Sequence, residues 1–357
     1  MEKLSEKEWK AVPIDDLADV DSGRDIYAQD RIKGETPYVT AGTANNGIGY
    51  FVGNENDSLA ANAISVNRNG AVGEAFYHPY LALYGNDCRR LSLREDRRAG
   101  TQIFVARAVS KQKGAFSYSR KLGTARLKRL HVMLPVDDKG KPDYAYMTLY
   151  STEVRGGMLM RYKNFIAGQL SQLEYKDIPA LDEKEWGEFF IGDLFTVSRP
   201  KARNKDDYDF GDIPFVASGA VNNGVMKCCN AKPDESLDKG NCITVSPVDG
   251  SAFYQPMDFL GRGGAGSSIL MLRSDWLNLY LGQFIARAVQ QTCSKYTYGH
   301  MGNKDSIRRE RIMLPVTDEG KPDYEYMEQC AKNMMLRKYE QYLAFIDRQS
   351  SAEEVNV

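Results

Sequence analysis

Apolar and polar residues alternate in short runs along most of the chain, and the runs follow a fixed order. PYVTAG (37–42), ISVNRNG (64–70) and AFYHP (75–79) join β-branched or aromatic residues to Gly, Asn and Pro boundaries, which predicts strands ended by turns. QIFVARAV (102–109), with small Ala residues between aliphatic flanks, predicts a short helix closing the strand region. LPVDDKGKPDYAYM (134–147) predicts a strand, a Gly-Lys-Pro turn, and Asp143 as the N-cap of a further helix. Beyond it Met147, Tyr150, Val154, Leu159, Tyr162 and Ile166 fall roughly at steps of three and four, an apolar stripe on a long helix. Gly156-Gly157 interrupts that helix at roughly 1 kcal/mol per Gly relative to Ala, so a kink or a close helix approach is expected there.

The whole succession occurs twice. Glu6-Lys7-Glu8-Trp9 returns 177 residues on as Glu183-Lys184-Glu185-Trp186, Asn45-Asn46-Gly47 returns at the same offset as Asn222-Asn223-Gly224, and Leu134-Pro135-Val136 returns as Leu314-Pro315-Val316. PFVASG, ITVSPVDG, AFYQP, QFIARAV and LPVTDEGKPDYEYM repeat the elements of the first copy, with Asp323 at the second N-cap. A period this long lies far outside the 20–50 residues of solenoid repeats and implies duplication of a whole domain. Met327, Cys330, Met334, Leu336 or Arg337, Tyr339, Leu343 and Ile346 mark the second helix. Two helices of about 25–30 residues would be ~38–45 Å long and must bury their stripes. Packing on each other, antiparallel, is the simplest solution; folding back on the parent domain is the other. The fold class expected is α+β: two β-rich domains, 1–142 and 179–322, with helices over 143–178 and 323–357 and a pseudo-two-fold repeat.

Composition adds little to this picture. The 357 residues are 42% hydrophobic and 27% charged, as in ordinary globular proteins. No apolar run approaches the ~20 residues of a spanning helix, and the charged N-terminus does not resemble a signal peptide, so a cytoplasmic location is expected. The six cysteines show no CxxC spacing and only Cys88 lies in the first copy, which excludes a duplicated zinc or disulfide framework. Three histidines are too scattered for a metal site.

Net charge is −1, yet its distribution is uneven: residues 111–131 hold seven Lys or Arg and no acid, and 199–205 and 295–311 are also rich in cations. Cations interleaved with aromatics attract polyanions locally; a solvated charged loop has the same composition. Enzyme signatures are weak. Pro233-Asp234 and Pro322-Asp323 lack the spaced acid-x-Lys of a nuclease, and no Asn-Pro-Pro or Asp-Pro-Pro methyltransferase loop occurs. GRGGAGSS (261–268) lacks the closing Lys of a phosphate loop and reads as a flexible β-turn. A two-domain β-rich module for glycan or protein ligands is the alternative from another class.

The order domain, long helix, domain, long helix resembles the specificity subunit of Type I restriction-modification systems and of BcgI-like enzymes. Residues 64–79 resemble the family's strand-Arg-x-Gly-strand element, ARAV marks its short helix, and KLGTARLKRLHVMLPV (121–136) is similar to its final loop and strand. The resemblance covers roughly 6–170 and 183–347. It implies a bipartite DNA reader without chemistry of its own: each β-rich domain reads one half-site, and the helices set the spacing and dock methyltransferase or fused methyltransferase/endonuclease subunits. S-adenosylmethionine and Mg²⁺ would then belong to those partners, and no cofactor to this chain.

Base reading needs forked donors and acceptors. Asn67, Arg68 and Asn69 offer them on a Gly-ended loop, although Asn residues also serve turn geometry. Phosphate candidates are Lys111, Lys113, Tyr118, Arg120 and Lys121 in the first copy and Lys295, Tyr296, Tyr298, His300 and Lys304 in the second, with Lys201, Arg203 and Lys205 as a further basic loop. The second copy has Ser246-Pro247-Val248-Asp249-Gly250 at the loop equivalent to 67–70, so an Arg contact there is not shared. Trp9 and Trp186 are expected to be core or helix-edge anchors. Asn45-Asn46 and Asn222-Asn223 are expected to be turn scaffold.

Overall fold

The computed structural model describes residues 2–264 and 268–354. The centre of the Gly-rich run read above as a turn, 265–267, and the last three positions of the second expected helix, 355–357, lie outside the described residues. The chain divides into two compact units, Met1–Tyr162 and Lys163–Val357.

The first unit begins with β1 (Trp9–Pro13), a one-turn helix α1 (Ile14–Leu17) and β2 (Ala18–Ser22). The hairpin β3 (Lys33–Val39) and β4 (Ile48–Val52) follows, then β5 (Ala63–Asn67), β6 (Ala75–His78), β7 (Leu83–Tyr84) and β8 (Cys88–Leu93). Helix α2 (Ala99–Ser110), the short α3 (Thr124–Lys128) and β9 (His131–Pro135) lead into α4 (Tyr144–Leu170). Three sheets result, in the orders β2-β8-β5-β6, β4-β3-β7 and β1-β9. All pairs are antiparallel except β3 with β7. The alternation seen in the sequence buries Ile64, Val66, Leu91 and Leu93 on one face of the four-stranded sheet, where Val105 and Val109 of α2 close over them together with Leu127, Val132, Leu134 and Met147.

The second unit repeats this. Its elements are β10 (Trp186–Phe190), α5 (Ile191–Leu194), β11 (Thr196–Ser198), β12 (Phe210–Val216), β13 (Val225–Cys229), β14 (Cys242–Val245), β15 (Ala252–Gln255), β16 (Leu260–Gly261), β17 (Leu270–Arg273), α6 (Leu279–Cys293), α7 (Lys304–Arg308), β18 (Arg311–Pro315) and α8 (Tyr324–Glu354). The sheet orders β11-β17-β14-β15, β13-β12-β16 and β10-β18 match those of the first unit strand for strand. Register matches too: Ile64 faces Leu91 across one ladder and Ile243 faces Leu272 across the other.

The expected N-caps are present in both copies. Asp143 Oδ1 accepts the Tyr146 amide at 2.9 Å and Asp323 Oδ1 accepts the Tyr326 amide at 3.0 Å, which satisfies an N–H that the helix itself cannot. Both carboxylates also hold a lysine, Lys7 at 3.0 Å and Lys184 at 2.8 Å. Gly156-Gly157 departs from expectation: α4 continues through the pair, and among the described residues nothing comes within 4 Å of a Cβ at either glycine. Within the second unit, residues 163–176 run antiparallel to α8. Lys163 pairs with Asp347 at 2.7 Å, Gln329 donates to the Glu174 carbonyl at 2.8 Å, and the Lys176 amide donates to Asn333 at 3.2 Å. The Asn turns adopt left-handed backbone at Asn45, Asn46, Asn222 and Asn223, with φ of 50° to 58°, in keeping with a scaffold role.

Candidate nucleic-acid interface

Between α2 and α3, and again between α6 and α7, the chain makes a tight two-residue turn. Ser117 bridges Arg120 in the first copy and Thr297 bridges His300 in the second. The turns place Tyr118 and Tyr298 at their tips, 74% and 83% exposed. Cations surround each tip. Lys121 Nζ lies 4.7 Å from the Tyr118 ring centroid and the Arg120 guanidinium 6.0 Å from that of Phe116. In the second copy Lys295 and Lys304 are exposed on either side of the turn, and the His300 ring stacks on Tyr296 at 5.9 Å.

Backbone hydrogen bonds tie these turns to the loop joining β5 to β6 in the first unit and β14 to β15 in the second. The Leu122 amide donates to the Arg68 carbonyl at 3.3 Å, and the Gly302 amide to the Pro247 carbonyl at 2.8 Å. Arg68 and Pro247 therefore occupy the same place, and the loop that begins with them has six residues (68–73) in the first copy and four (247–250) in the second before the strands re-pair through Glu74 and Ser251. Arg68 is half-buried and its Nη2 meets Asp87 Oδ1 at 3.1 Å. Asn69 is half-buried as well.

Three residues expected to be contacts are internal, and they are corrected here. Asn67 is fully buried: its Nδ2 donates to the Gly42 carbonyl at 3.0 Å and its Oδ1 accepts from Cys88 Sγ at 3.6 Å, so neither end of the amide is left for a base. Arg203 is buried between Glu235 and Asp238, each at 2.6 Å, and also donates to the Gly261 and Ser236 carbonyls at 2.9 Å. Burial opposes its charge, but the two carboxylates outweigh burial and hold its pKa above the ordinary value. Tyr296 is 3% exposed, and its hydroxyl donates to Glu310. These side chains fix loops in place.

The remaining candidates reach the surface with differing freedom. Lys113 pairs with Glu74 at 2.6 Å and Lys295 with Glu310 at 2.6 Å, while Lys201 donates to Ser236 at 2.9 Å. Lys205 is half-buried at a 3₁₀ turn. The 201–205 loop is held against 235–238 and 261–263. Lys111 caps the end of α2, where it lines an apolar groove.

That groove, of about 810 Å³, is walled by Trp9, Phe104, Met133, Val154 and Met158. Its twin in the second unit, about 750 Å³, is walled by Trp186, Phe284, Met313, Met334 and Tyr339. Trp9 and Trp186, expected as core or helix-edge anchors, are outside the core and line these grooves, Trp186 being exposed; the Trp9 indole donates to the Leu4 carbonyl at 3.0 Å, and Trp186 to that of Leu181 at 2.9 Å. The charged residues lining the first groove are Arg107, Lys111 and Arg155, and those lining the second are Arg287 and Lys338; neither groove wall contains a carboxylate.

Sequence reading missed Asp87, Arg89 and Arg90. Arg90 pairs with Asp21 at 2.8 Å, and Arg89 is buried with its Nη1 on the Asn86 and Cys88 carbonyls at 2.8 and 2.9 Å. The signal was the Arg-Arg pair inside the strand CRRLSL. Exposed aromatics on the β3–β4 and β12–β13 hairpins were also missed: Arg31 lies 3.6 Å from the Tyr50 centroid, and Lys227 5.3 Å from that of Phe210. Among the described residues no cluster of three His, Cys, Asp or Glu is placed to hold a metal ion, and no helix is long and apolar enough to cross a membrane.

Comparison with known proteins agrees with the repeat. A family model described as Type I restriction modification DNA specificity domain matches residues 6–155 and again 183–341. The Type II restriction enzyme BgcI specificity subunit S.BcgI of Heyndrickxia coagulans is 30% identical over 175 residues, 49% of this chain and 49% of that protein. The match thus spans about half the length of this curated relative. Among solved structures, the S subunit of a Type-I restriction-modification system from M. genitalium aligns with a TM-score of 0.45 at 15% identity, covering 99% of this chain and 95% of that one. The HsdS subunit from Thermoanaerobacter tengcongensis aligns with a TM-score of 0.31 at 13% identity, covering 96% and 91%. With one match to each repeat, together extending over most of its length, the chain belongs to the Type I restriction modification DNA specificity domain family.

Proposed function

We propose that this chain is the DNA specificity subunit of a restriction-modification complex, recognising a bipartite sequence through its two repeats. The observation that carries the reading is the twin turn: two copies that differ in loop sequence both present an exposed tyrosine among cations at the same point of the fold. Residues 1–142 and 179–322 are the reading domains, and the segments 143–178 and 323–357, to which α4 and α8 belong, set the distance between half-sites. Arg68, Asn69, Lys111, Lys113, Tyr118, Arg120 and Lys121 face the first half-site. Lys201, Lys205, Lys295, Tyr298, His300 and Lys304 face the second. Phosphate contacts of this kind supply affinity and fix register without choosing sequence.

The chain has no catalytic role. Methyltransferase or fused methyltransferase/endonuclease subunits supply it, with S-adenosylmethionine and Mg²⁺ bound on those partners, in the cytoplasm. The twin apolar grooves, rimmed by cations and floored by Trp, Phe and Met, are the surfaces offered to those partners. No observation favours a glycan-binding module. A gel shift of the whole chain on duplex DNA of mixed sequence, repeated across salt concentrations, tests the reading. Binding that weakens steeply with salt is expected; binding indifferent to salt, or none, would remove DNA as the ligand.

A further inference from the structure

Arg89 is a buried cation at a position where the fold does not need one. It lies in β8 opposite Val66, is 5% exposed, and among the described residues has no carboxylate within ion-pairing distance and no partner for its Nε. The ladder position equivalent to it, opposite Val245 in the second unit, is Leu270, 1% exposed. One chain thus contains both solutions to the same packing problem. Leucine is the cheaper one, since a buried charge without a paired partner costs several kcal/mol in general.

What differs between the two units is the neighbour. Arg68 shares the place of Pro247 and, two residues beyond Val66 that pairs with Arg89, adds a second guanidinium on the same face of the ladder. Asp87, half-exposed, is bonded to Arg68 through Nη2 and makes no ion pair with Arg89, so the pair of cations is only partly neutralised. Arg68 Nε and Asn69 Oδ1 are also buried without partners. The loop itself is firmly held. The Arg68 and Asn69 amides both donate to the Asp87 carbonyl, Leu122 donates to that of Arg68, and Asn67 is fastened to Gly42. A rigid loop with excess positive charge, whose Arg68 guanidinium meets Asp87 through Nη2 alone, suits an incoming anion.

We infer that Arg68 is the contact residue, and Arg89 the positioning residue, of a site for a DNA phosphate that is built into the first reading domain alone. Repulsion from Arg89 keeps Arg68 from collapsing fully onto Asp87 and leaves its donors for the backbone of the duplex. The second domain, with Pro247 and Leu270, grips its half-site without this contact. The inference rests on the DNA reading proposed above and adds an asymmetry between the two halves.

The test is the salt dependence of binding by the whole chain to a mixed-sequence duplex, with thermal unfolding measured alongside. Each phosphate contact contributes about 0.9 to the slope of log affinity against log salt. Arg68→Gln is expected to lower the slope by about one, Arg68→Lys to restore it, and Pro247→Ala to leave it unchanged. Arg89→Leu, the second domain's own solution, is expected to lower the slope towards that of Arg68→Gln while melting temperature stays equal or rises. A structural role for Arg89 would instead lower melting and spare the slope, which overturns the assignment. So does an unchanged slope in Arg68→Gln, including the case where affinity falls only for duplexes carrying one particular base, which would make Arg68 a base reader. If the unaltered chain does not bind DNA, the proposed function itself fails, a result distinct from these.

Discussion

Asp143→Ala removes two interactions from one point of the first unit. The Tyr146 amide loses its acceptor at 2.9 Å, and Lys7, whose ammonium also lies 4.9 Å from the Tyr146 ring centroid, loses its carboxylate at 3.0 Å. Loss of an N-cap costs about 1 kcal/mol, and loss of a partly buried, charge-assisted hydrogen bond about 1 kcal/mol more. The total, about 2 kcal/mol, corresponds to a melting shift of about 4–8 °C for a unit of this size. Asp143→Asn keeps an acceptor for the amide and should lose about half as much. Urea unfolding of the whole chain, combined with hydrogen exchange at the Tyr146 amide, assigns the effect to this unit. The pH dependence has a fixed sign. Burial pushes the Asp143 carboxyl up, but the Tyr146 amide and Lys7 outweigh burial and hold its pKa below the ordinary carboxylate value. A depressed pKa means stability that is present above the unfolded pKa and lost as pH falls through the folded one. The deficit of Asp143→Ala should therefore be largest at neutral pH and shrink in acid. Asp323→Ala should behave alike, because its amide contact at 3.0 Å and its lysine at 2.8 Å repeat the geometry. A neutral-pH loss below about 0.5 kcal/mol, within the range of ordinary surface substitutions, would refute the capping account.

His78 is fully buried beside Ser65, and burial pushes its pKa down to about 4. An unfolded chain binds the proton near the ordinary histidine value, so stability should fall as pH drops from about 6.5 to about 4, by up to about 3 kcal/mol; His78→Gln, matching Gln255 of the second unit, should remove that share of the slope in acid unfolding curves. Arg203→Ala leaves the half-buried Glu235 and Asp238 without their cation and should destabilise the second unit by about 3 kcal/mol in chemical unfolding; a loss under about 1 kcal/mol would show that water enters the site freely. Tyr118→Ala and Tyr298→Ala should each weaken duplex binding in a gel shift while changing stability by no more than about 0.5 kcal/mol. A matching loss of stability would make the tips structural.

Local rules carried much of the fold into the sequence. The caps at Asp143 and Asp323, the helices around ARAV and the left-handed Asn-Asn-Gly turns all depend on a few adjacent residues, and all were legible. The duplication was legible because identical short motifs recur at nearly constant spacing. The direction of loop side chains was not. Asn67 and Arg203 read as exposed polar loop residues, yet their partners are Gly42 and the 235–238 segment, 25 and 32 or more residues away, and no periodicity encodes such pairs. Arg89 escaped notice for the same reason: only the ladder register shows that Leu270 takes its place. The matched turn tips were half legible, since Tyr118 and Tyr298 repeat at the long period while the residues around them differ. Gly156-Gly157 misled because glycine's helix cost says nothing about what lies nearby.

The most direct test of a two-headed reader is to map methylated sites in DNA exposed to the reconstituted complex, before and after residues 1–142 are exchanged for the corresponding segment of another family member. Independent reading by each repeat predicts that one half of the recognised sequence changes while the other half and the spacing persist. A change in both halves, or in neither, would contradict it.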